Sequence, residues 1–183
     1  MLGRIAILAF LAAALACAQS ELPEARFLRV GYTFREAGIP PAQIRQITAQ
    51  IEKTSFDAPD SWEQELRIRR VALGQADILV VRGTTLLCGA TGNCQAWVFL
   101  RSRQQWKNLI QGDAPLASGL GFEEQVTSGL KNLVLVTNAG GQKDRYTRYR
   151  FDGQFYHAGD CFDVESLDSP TGEPKVTRVK CER

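Results

Sequence analysis

The fold is decided by residues 77–101, where two apolar runs lie on either side of a small loop. The runs are DILVV at 77–81 and QAWVFLR at 95–101, and the loop is CGATGNC at 88–94. Both runs are rich in strand-forming residues, and the glycine and asparagine residues of the loop tolerate positive φ angles. The stretch therefore predicts two antiparallel strands whose connecting loop is closed by a Cys88–Cys94 disulfide.

The register of this strand pair follows if the two cysteines face each other. Thr85 then opposes Trp97, and Gly83 opposes Phe99. Because successive side chains of a strand point to opposite faces, Trp97 and Phe99 are expected on the same face.

The first 18 residues have the pattern of a secretory signal peptide. Arg4 supplies the positive charge, residues 5–15 are apolar, and Ala16-Cys17-Ala18 matches a small-residue cleavage site. The apolar run is shorter than the roughly 20 residues that span a bilayer. We therefore expect export, to the periplasm or the exterior, with cleavage after Ala18. Retention as an uncleaved anchor and lipid attachment at Cys17 are the alternatives.

Residues 19–183 are long enough for a single domain, with a helical N-terminal part at 19–60 and a β-rich part at 61–183. The chain has 22 basic and 20 acidic residues, and removal of Arg4 lowers the net charge from +2 to about +1. So small a charge argues against strong attraction to nucleic acid or to an anionic membrane. Any binding must come from a local patch.

Four cysteines remain after cleavage, and an even number in an exported chain predicts a disulfide framework. Of the three possible connectivities, local geometry favours Cys88–Cys94 and Cys161–Cys181. A zinc site is the alternative, but the spacing within each pair does not match the usual zinc-finger patterns.

An amphipathic helix is predicted after Pro40, because Ile44, Ile47 and Ile51 recur at helical spacing. The residues expected on its outer side are Gln43, Arg45, Gln46 and Gln50. Residues 112–121 contain Pro115 and three glycines and are expected to form a loop. The predicted fold class is α+β and mainly β, an antiparallel sheet of about seven to nine strands with one N-terminal helix and two disulfides.

The sequence at 151–154, Phe-Asp-Gly-Gln, predicts a two-residue hairpin. This turn places Tyr149 opposite Tyr156 and Arg148 opposite His157. His157 is the only histidine, and in this register it has a cationic neighbour and no carboxylate to orient its ring. No histidine-dependent catalytic or metal site is therefore expected.

Pairs of acidic residues leave a carboxylate-dependent hydrolase open as an alternative function. The candidate pairs are Glu63 with Glu65, Glu123 with Glu124, and Asp160 with Asp163. The chain has no phosphate-binding glycine motif and no calcium-binding loop. We therefore assign no catalytic residue, no metal ligand and no cofactor from the sequence.

A basic strip with interleaved tyrosines is the feature with binding potential. It consists of Arg67, Arg69, Lys143, Arg145, Tyr146, Arg148, Tyr149 and Arg150. Such side chains can bind an acidic protein face or an anionic envelope polymer, and the alternative is a solvated, edge-protecting surface. The expected function is an exported, non-catalytic binding or inhibitory module. A hydrolase and a purely structural envelope protein are the alternatives.

Residues 76–161 resemble a recurring group of exported bacterial proteins. The shared features are the Cys-Gly-x-x-Gly-Asn-Cys loop at 88–94, the aromatic strand at 97–99, Ser-Gly-Leu-Lys-Asn-Leu at 128–133 and the Tyr-x-Phe-Asp-Gly hairpin at 149–156. The resemblance implies an exported protein. Because that group has no established activity, it implies no catalytic residues.

Overall fold

A computed structural model describes residues 22–54, 62–166 and 173–181, and within them it contains one α-helix and eleven β-strands. The helix is α1 (Pro41–Glu52). The strands are β1 (Ala25–Phe27), β2 (Leu66–Leu73), β3 (Ala76–Gly83), β4 (Cys94–Ser102), β5 (Gln105–Asn108), β6 (Leu116–Ala117), β7 (Gly119–Thr127), β8 (Leu130–Asn138), β9 (Lys143–Phe151), β10 (Tyr156–Glu165) and β11 (Lys175–Val179). The predicted signal peptide at 1–18 lies outside the described residues.

The strands form two antiparallel sheets rather than the single sheet expected. The larger sheet has six strands in the order β1-β7-β8-β9-β10-β11, and the smaller one has the order β2-β3-β4-β5, with β6 paired to β4. The mainly β class and the single helix are confirmed for the described residues. The expected seven to nine strands are too few, partly because β1 and β6 are only three and two residues long.

The glycines at 119 and 121 show why residues 112–121 are not simply a loop. Both belong to β7, and a Cβ atom on Gly121 would lie only 2.7 Å from the carbonyl oxygen of Arg26 in β1. Glycine in a strand often marks such a close backbone approach. Gly121 therefore marks close pairing of β7 with β1, although this glycine was interpreted from the sequence as part of a loop.

The molecule has three layers, which are α1, the smaller sheet and the larger sheet. One core lies between the two sheets and includes Val80 and Val98 from the smaller sheet and Leu133 from the larger one. A second core lies between the smaller sheet and α1 and includes Trp97 and Phe99. These two aromatic residues share a face, as strand alternation predicts.

The pairing of β3 with β4 is displaced by four residues from the predicted register. Trp97 is opposite Val81, not Thr85. Cys88 does face Cys94, but a 3₁₀ turn at Thr85–Leu87 separates β3 from that bridge. The turn takes up the residues that a simple hairpin would have paired.

Helix α1 buries Ile47 and Ile51 completely, as its apolar spacing predicts. Its glutamines do not point to solvent as expected, because they contact the edge strand β5. The Oε1 atom of Gln46 accepts a hydrogen bond from the Trp106 amide at 3.2 Å, and that of Gln50 accepts one from the Asn108 amide at 3.0 Å. Gln50 Nε2 also donates to the Trp106 carbonyl at 2.8 Å. Glutamine side chains of the helix thus form hydrogen bonds with backbone groups of an edge strand.

Both predicted disulfides, Cys88–Cys94 and Cys161–Cys181, are present. Such bonds favour an oxidising, extracellular environment. The loop closed by the first is also tied to the larger sheet, because the side-chain amide of Asn93 exchanges two 2.8 Å hydrogen bonds with the backbone of Asn138. In the part of the chain that the structure describes, no helix is long and apolar enough to cross a membrane.

Candidate functional site

The predicted basic strip is divided between the two sheets. Arg67 and Arg69 lie on β2, an edge strand of the smaller sheet, and the other six residues lie on β9, inside the larger sheet. Arg67 donates to the carbonyl groups of Gln64 and Leu66, and Arg69 lies over the Tyr32 ring at 5.7 Å. The structure therefore does not bring the two halves of the strip together.

Strand alternation divides the β9 residues again. Tyr149 pairs with Leu133 of the inter-sheet core, so its side of β9 is the inner face, whereas Arg148 pairs with Val134 on the outer face. Lys143, Arg145 and Tyr149 share the inner face. Tyr146, Arg148 and Arg150 share the outer face.

The outer face carries a charged cluster centred on Arg148. Its guanidinium donates to the Glu123 carboxylate at 2.8 to 2.9 Å through Nε and Nη2, and to Asp160 Oδ2 at 3.1 Å through Nη1. Glu123 also accepts a 2.9 Å hydrogen bond from the side-chain amide of Asn132. Glu123 and Asp160 are each only 5% exposed. One arginine is therefore shared by two buried carboxylates.

Two further arginines reach the same carboxylate from the solvent side. Arg150 contacts Asp160 Oδ2, and Arg178 of β11 contacts Asp160 Oδ1. Their side chains are 45% and 62% exposed. We call this set the outer-face cluster; its members are Glu123, Asn132, Arg148, Arg150, Asp160 and Arg178. It holds three guanidinium groups against two carboxylates, which leaves one positive charge in excess.

The arginines keep Asp160 ionised. Burial alone would raise the pKa of this carboxyl, but the hydrogen bond from Arg148 and the charges of Arg150 and Arg178 together lower it. The pKa of the Arg148 guanidinium is raised, because Glu123 and Asp160 outweigh the opposing effect of burial. Asp160 and Arg148 therefore both stay charged at neutral pH.

Members of two of the three predicted carboxylate pairs lie in different surroundings. Glu123 is buried in the outer-face cluster, whereas Glu124 is exposed and forms a 2.6 Å ion pair with Lys131. Asp160 lies on the outer face of β10, and Asp163 lies on the inner face opposite Arg145.

The third predicted pair lies in a 3₁₀ turn at Trp62–Glu65. There the Glu65 carboxylate accepts a hydrogen bond from the hydroxyl of Thr84. The acids that the fold does bring together, Glu123 and Asp160, come from two different predicted pairs and share Arg148 between them.

His157 does have a carboxylate neighbour, contrary to the sequence prediction. The hairpin loop spans four residues, so Phe151 pairs with Tyr156 and His157 is opposite Arg150 rather than Arg148. His157 Nε2 lies 2.8 Å from Asp152 Oδ2, and both side chains are about half exposed. This arrangement is a surface pair beside the hairpin loop.

The carboxylate of Asp152 forms hydrogen bonds within the hairpin loop. Its carboxylate accepts hydrogen bonds from the backbone amides of Phe155 and Gln154 at 2.8 and 2.7 Å, which, with a contribution from His157, lower its pKa to about 2. An ionised Asp152 therefore fixes the four-residue loop.

Sequence reasoning missed the arrangement around Arg148. The chain separates Glu123 from Arg148 by 25 residues and Asp160 from Arg178 by 18. The available signal was that cations predominate along β9 and acids along β10, but only the strand order shows which partners meet.

No protein-family model matches this chain, and no curated protein and no solved structure matches it. In residues 22–54, 62–166 and 173–181, no group of three or more His, Cys, Asp or Glu side chains could hold a metal ion.

Proposed function

We propose that the protein is an exported, non-catalytic binding or inhibitory module that binds an acidic protein face or an anionic envelope polymer through the outer-face cluster. The observation that supports this proposal is the position of two exposed guanidinium groups, those of Arg150 and Arg178, on one buried carboxylate. Export is part of the proposal, and the two disulfides support it.

The buried carboxylate makes the two arginines a better binding surface than isolated surface arginines. An arginine side chain loses rotamer entropy when it binds, and groups already held in one geometry lose less. Asp160 holds Arg150 and Arg178 by one terminal nitrogen each. Each guanidinium has five N–H donors, so most of them remain for a second carboxylate, phosphate or sulfate group.

Aromatic residues border the cluster on the same face. Phe27 of β1 lies edge-on to Tyr146 with ring centroids 6.2 Å apart, and Phe27 is 45% exposed. Arginine and aromatic side chains are the residues enriched at protein interfaces. The outer face therefore combines fixed cations with exposed apolar surface.

The same cluster is poorly suited to a carboxylate-dependent hydrolase. Such enzymes need one carboxyl group whose pKa is raised, so that it can donate a proton at neutral pH. The pKa of Asp160 is lowered, and Glu123 accepts two hydrogen bonds from a guanidinium. The lowered pKa of Asp160 and the guanidinium contacts of Glu123 support binding over acid catalysis.

The binding test compares the oxidised mature protein with an Arg150→Gln/Arg178→Gln variant. Both proteins are titrated into fluorescent polyglutamate and into a fluorescent sulfated polysaccharide, and anisotropy is recorded at several salt concentrations. We expect roughly tenfold or greater loss of affinity in the variant, since one lost charge-assisted hydrogen bond is worth about 1.5–3 kcal/mol. The matched control is Arg45→Gln, an exposed arginine on α1.

Equal binding by the wild type and the Arg150→Gln/Arg178→Gln variant would refute the proposed surface. A hydrolase would instead release reducing ends or peptides from an envelope extract, and Glu123→Gln or Asp160→Asn would abolish that turnover. Export is tested separately by mass spectrometry of the mature N-terminus, with cleavage after Ala18 expected and acylated Cys17 as the contrary result.

A further inference from the structure

The inner face of the larger sheet carries a pocket of about 480 Å³ away from the outer-face cluster. Its lining includes inner-face residues of three adjacent strands, which are Thr137, Arg145, Thr147, Tyr149, Ala158 and Cys161. The register makes them cross-strand neighbours, since Thr137 pairs with Arg145, Thr147 with Cys161 and Tyr149 with Ala158. The pocket floor is therefore a continuous patch of one sheet face.

Covalent and polar links make this end of the sheet rigid. Cys161 in the pocket wall is bonded to Cys181. On another side, Ala139 lines the pocket directly after Asn138, which is the residue held by Asn93 of the Cys88–Cys94 loop. A pocket held in shape in this way loses little conformational entropy when a ligand binds.

Tyr149 gives the pocket an aromatic wall with a polar tip. Its ring packs against the inter-sheet core, and its hydroxyl forms no hydrogen bond with the described residues. Burial raises the pKa of this phenol, so it stays protonated at neutral pH. The phenol can therefore donate a hydrogen bond to a ligand while the ring face supplies apolar contact.

The charged side chain that lines the pocket, that of Arg145, is paired with an acid beside the pocket. Arg145 Nε donates to Asp163 Oδ1 at 2.8 Å, and Lys143 lies 2.7 Å from Asp163 Oδ2 and 4.0 Å from Glu165. Two cations thus face two carboxylates. A neutral ligand fits this balance better than an anion, and this distinguishes the pocket from the outer-face cluster.

We propose that this pocket binds a neutral carbohydrate, with the apolar face of a pyranose ring against Tyr149. The volume lies within the 300–1,000 Å³ typical of small-molecule sites. The Tyr149 and Thr147 hydroxyl groups supply hydrogen-bonding partners for sugar hydroxyls, and Ala158 and the Cys161 sulfur supply apolar contact. The proposal does not depend on polyanion binding, because the two sites lie on opposite faces of the sheet.

The test is an NMR titration of the ¹⁵N-labelled, oxidised mature protein with methyl β-glucoside, N-acetylglucosamine and a neutral β-linked trisaccharide. Glucuronate serves as the charged comparison. We expect saturable shifts of the Thr137, Thr147 and Ala158 amides at millimolar concentrations of at least one neutral sugar. Tyr149→Phe and Thr147→Val each remove one hydroxyl with little change of shape, and each should weaken binding roughly three- to tenfold.

The matched control is Arg150→Gln, which changes the neighbour of Tyr149 on the opposite face and should leave sugar affinity unaltered. Absence of saturable shifts at the pocket amides with every neutral sugar would overturn the proposal, as would binding of glucuronate alone. Wild-type affinity in both Tyr149→Phe and Thr147→Val would overturn it too. Loss of polyanion binding in Arg150→Gln/Arg178→Gln with sugar binding intact would show that the two sites are independent.

Discussion

Arg148 and Glu123 form a two-pronged ion pair on the outer face of the larger sheet, with Nε and Nη2 of the guanidinium within 2.9 Å of the carboxylate. They lie on β9 and β7, which are separated by β8, so the pair bridges a complete strand. Asn132 of β8 contributes a further hydrogen bond to the same carboxylate. The pair therefore ties three neighbouring strands together.

Replacing Arg148 with methionine should destabilise the fold by about 3–5 kcal/mol, because it leaves two buried carboxylates without their shared cation. Urea unfolding at neutral pH measures the effect. Arg150→Gln is the control on the same strand face, and its 45% exposed side chain should contribute at most about 1 kcal/mol. Similar losses in the two variants would contradict the central role of Arg148.

Acidification should weaken the fold below about pH 4. The hydrogen bond from Arg145 and the charge of Lys143 hold the pKa of Asp163 below its usual range despite burial. A carboxyl with a lowered folded-state pKa stabilises the protein above its unfolded pKa of about 3.9, and this contribution disappears as the pH falls through the folded value. Urea midpoints between pH 2 and pH 6 should therefore fall on the acid side. The slope should be shallower in Asp163→Asn, and an unchanged slope would refute the assignment.

Sequence periodicity predicted the strands at 77–81 and 95–101 and the buried face of α1. Both disulfides were predicted from the number of cysteines and from their positions across local turns, so all of these features depend on short stretches of the chain. Alternation along β9 also predicts that Tyr149 and Arg148 point to opposite faces of the sheet. The prediction of a single basic strip did not use this alternation. The ion pair of Arg148 with Glu123 could not be predicted in this way. It requires the strand order of the larger sheet, which depends on packing between distant segments.

The hairpin at 151–156 shows how a local rule can be incomplete. The Asp-Gly sequence correctly marked the turn, and Gly153 has a φ of +106°. The Asp152 side chain, however, captures the amides of Gln154 and Phe155, which stabilises a four-residue loop instead of a two-residue one. That change moves His157 opposite Arg150 and next to Asp152.

Removing each disulfide should destabilise the fold to a different extent. The entropy of loop closure gives about 2 kcal/mol for Cys88–Cys94 and about 3 kcal/mol for Cys161–Cys181. Urea unfolding of the two double-serine variants measures these values, and peptide mapping without reduction checks the pairing. A Cys94–Cys161 peptide would contradict the observed connectivity. Because Asn93 is part of the loop, hydrogen exchange at Asn138 should accelerate only in the Cys88→Ser/Cys94→Ser variant.

Helix α1 should protect the edge strand β5 through its glutamines. In Gln50→Ala, the Asn108 amide and the Trp106 carbonyl lose their side-chain partners. Unpaired buried backbone groups cost about 1–3 kcal/mol each, and water entry reduces this at a half-buried edge. We expect about 1–2 kcal/mol of destabilisation by urea unfolding.

Hydrogen exchange separates this effect from a general loss of helix stability. The Asn108 amide should exchange faster in Gln50→Ala, while the amides of β3 in the centre of the smaller sheet keep their protection relative to global unfolding. Arg45→Ala on the same helix is the control, because its exposed side chain forms no hydrogen bond with the described residues of β5 and alanine is a good helix former. Unchanged exchange at Asn108 would show that β5 is protected by β4 alone. Faster exchange at Asn108 would show that the polar side of α1 takes the place of a neighbouring strand beside β5. In that position the helix also prevents the edge from pairing with another chain.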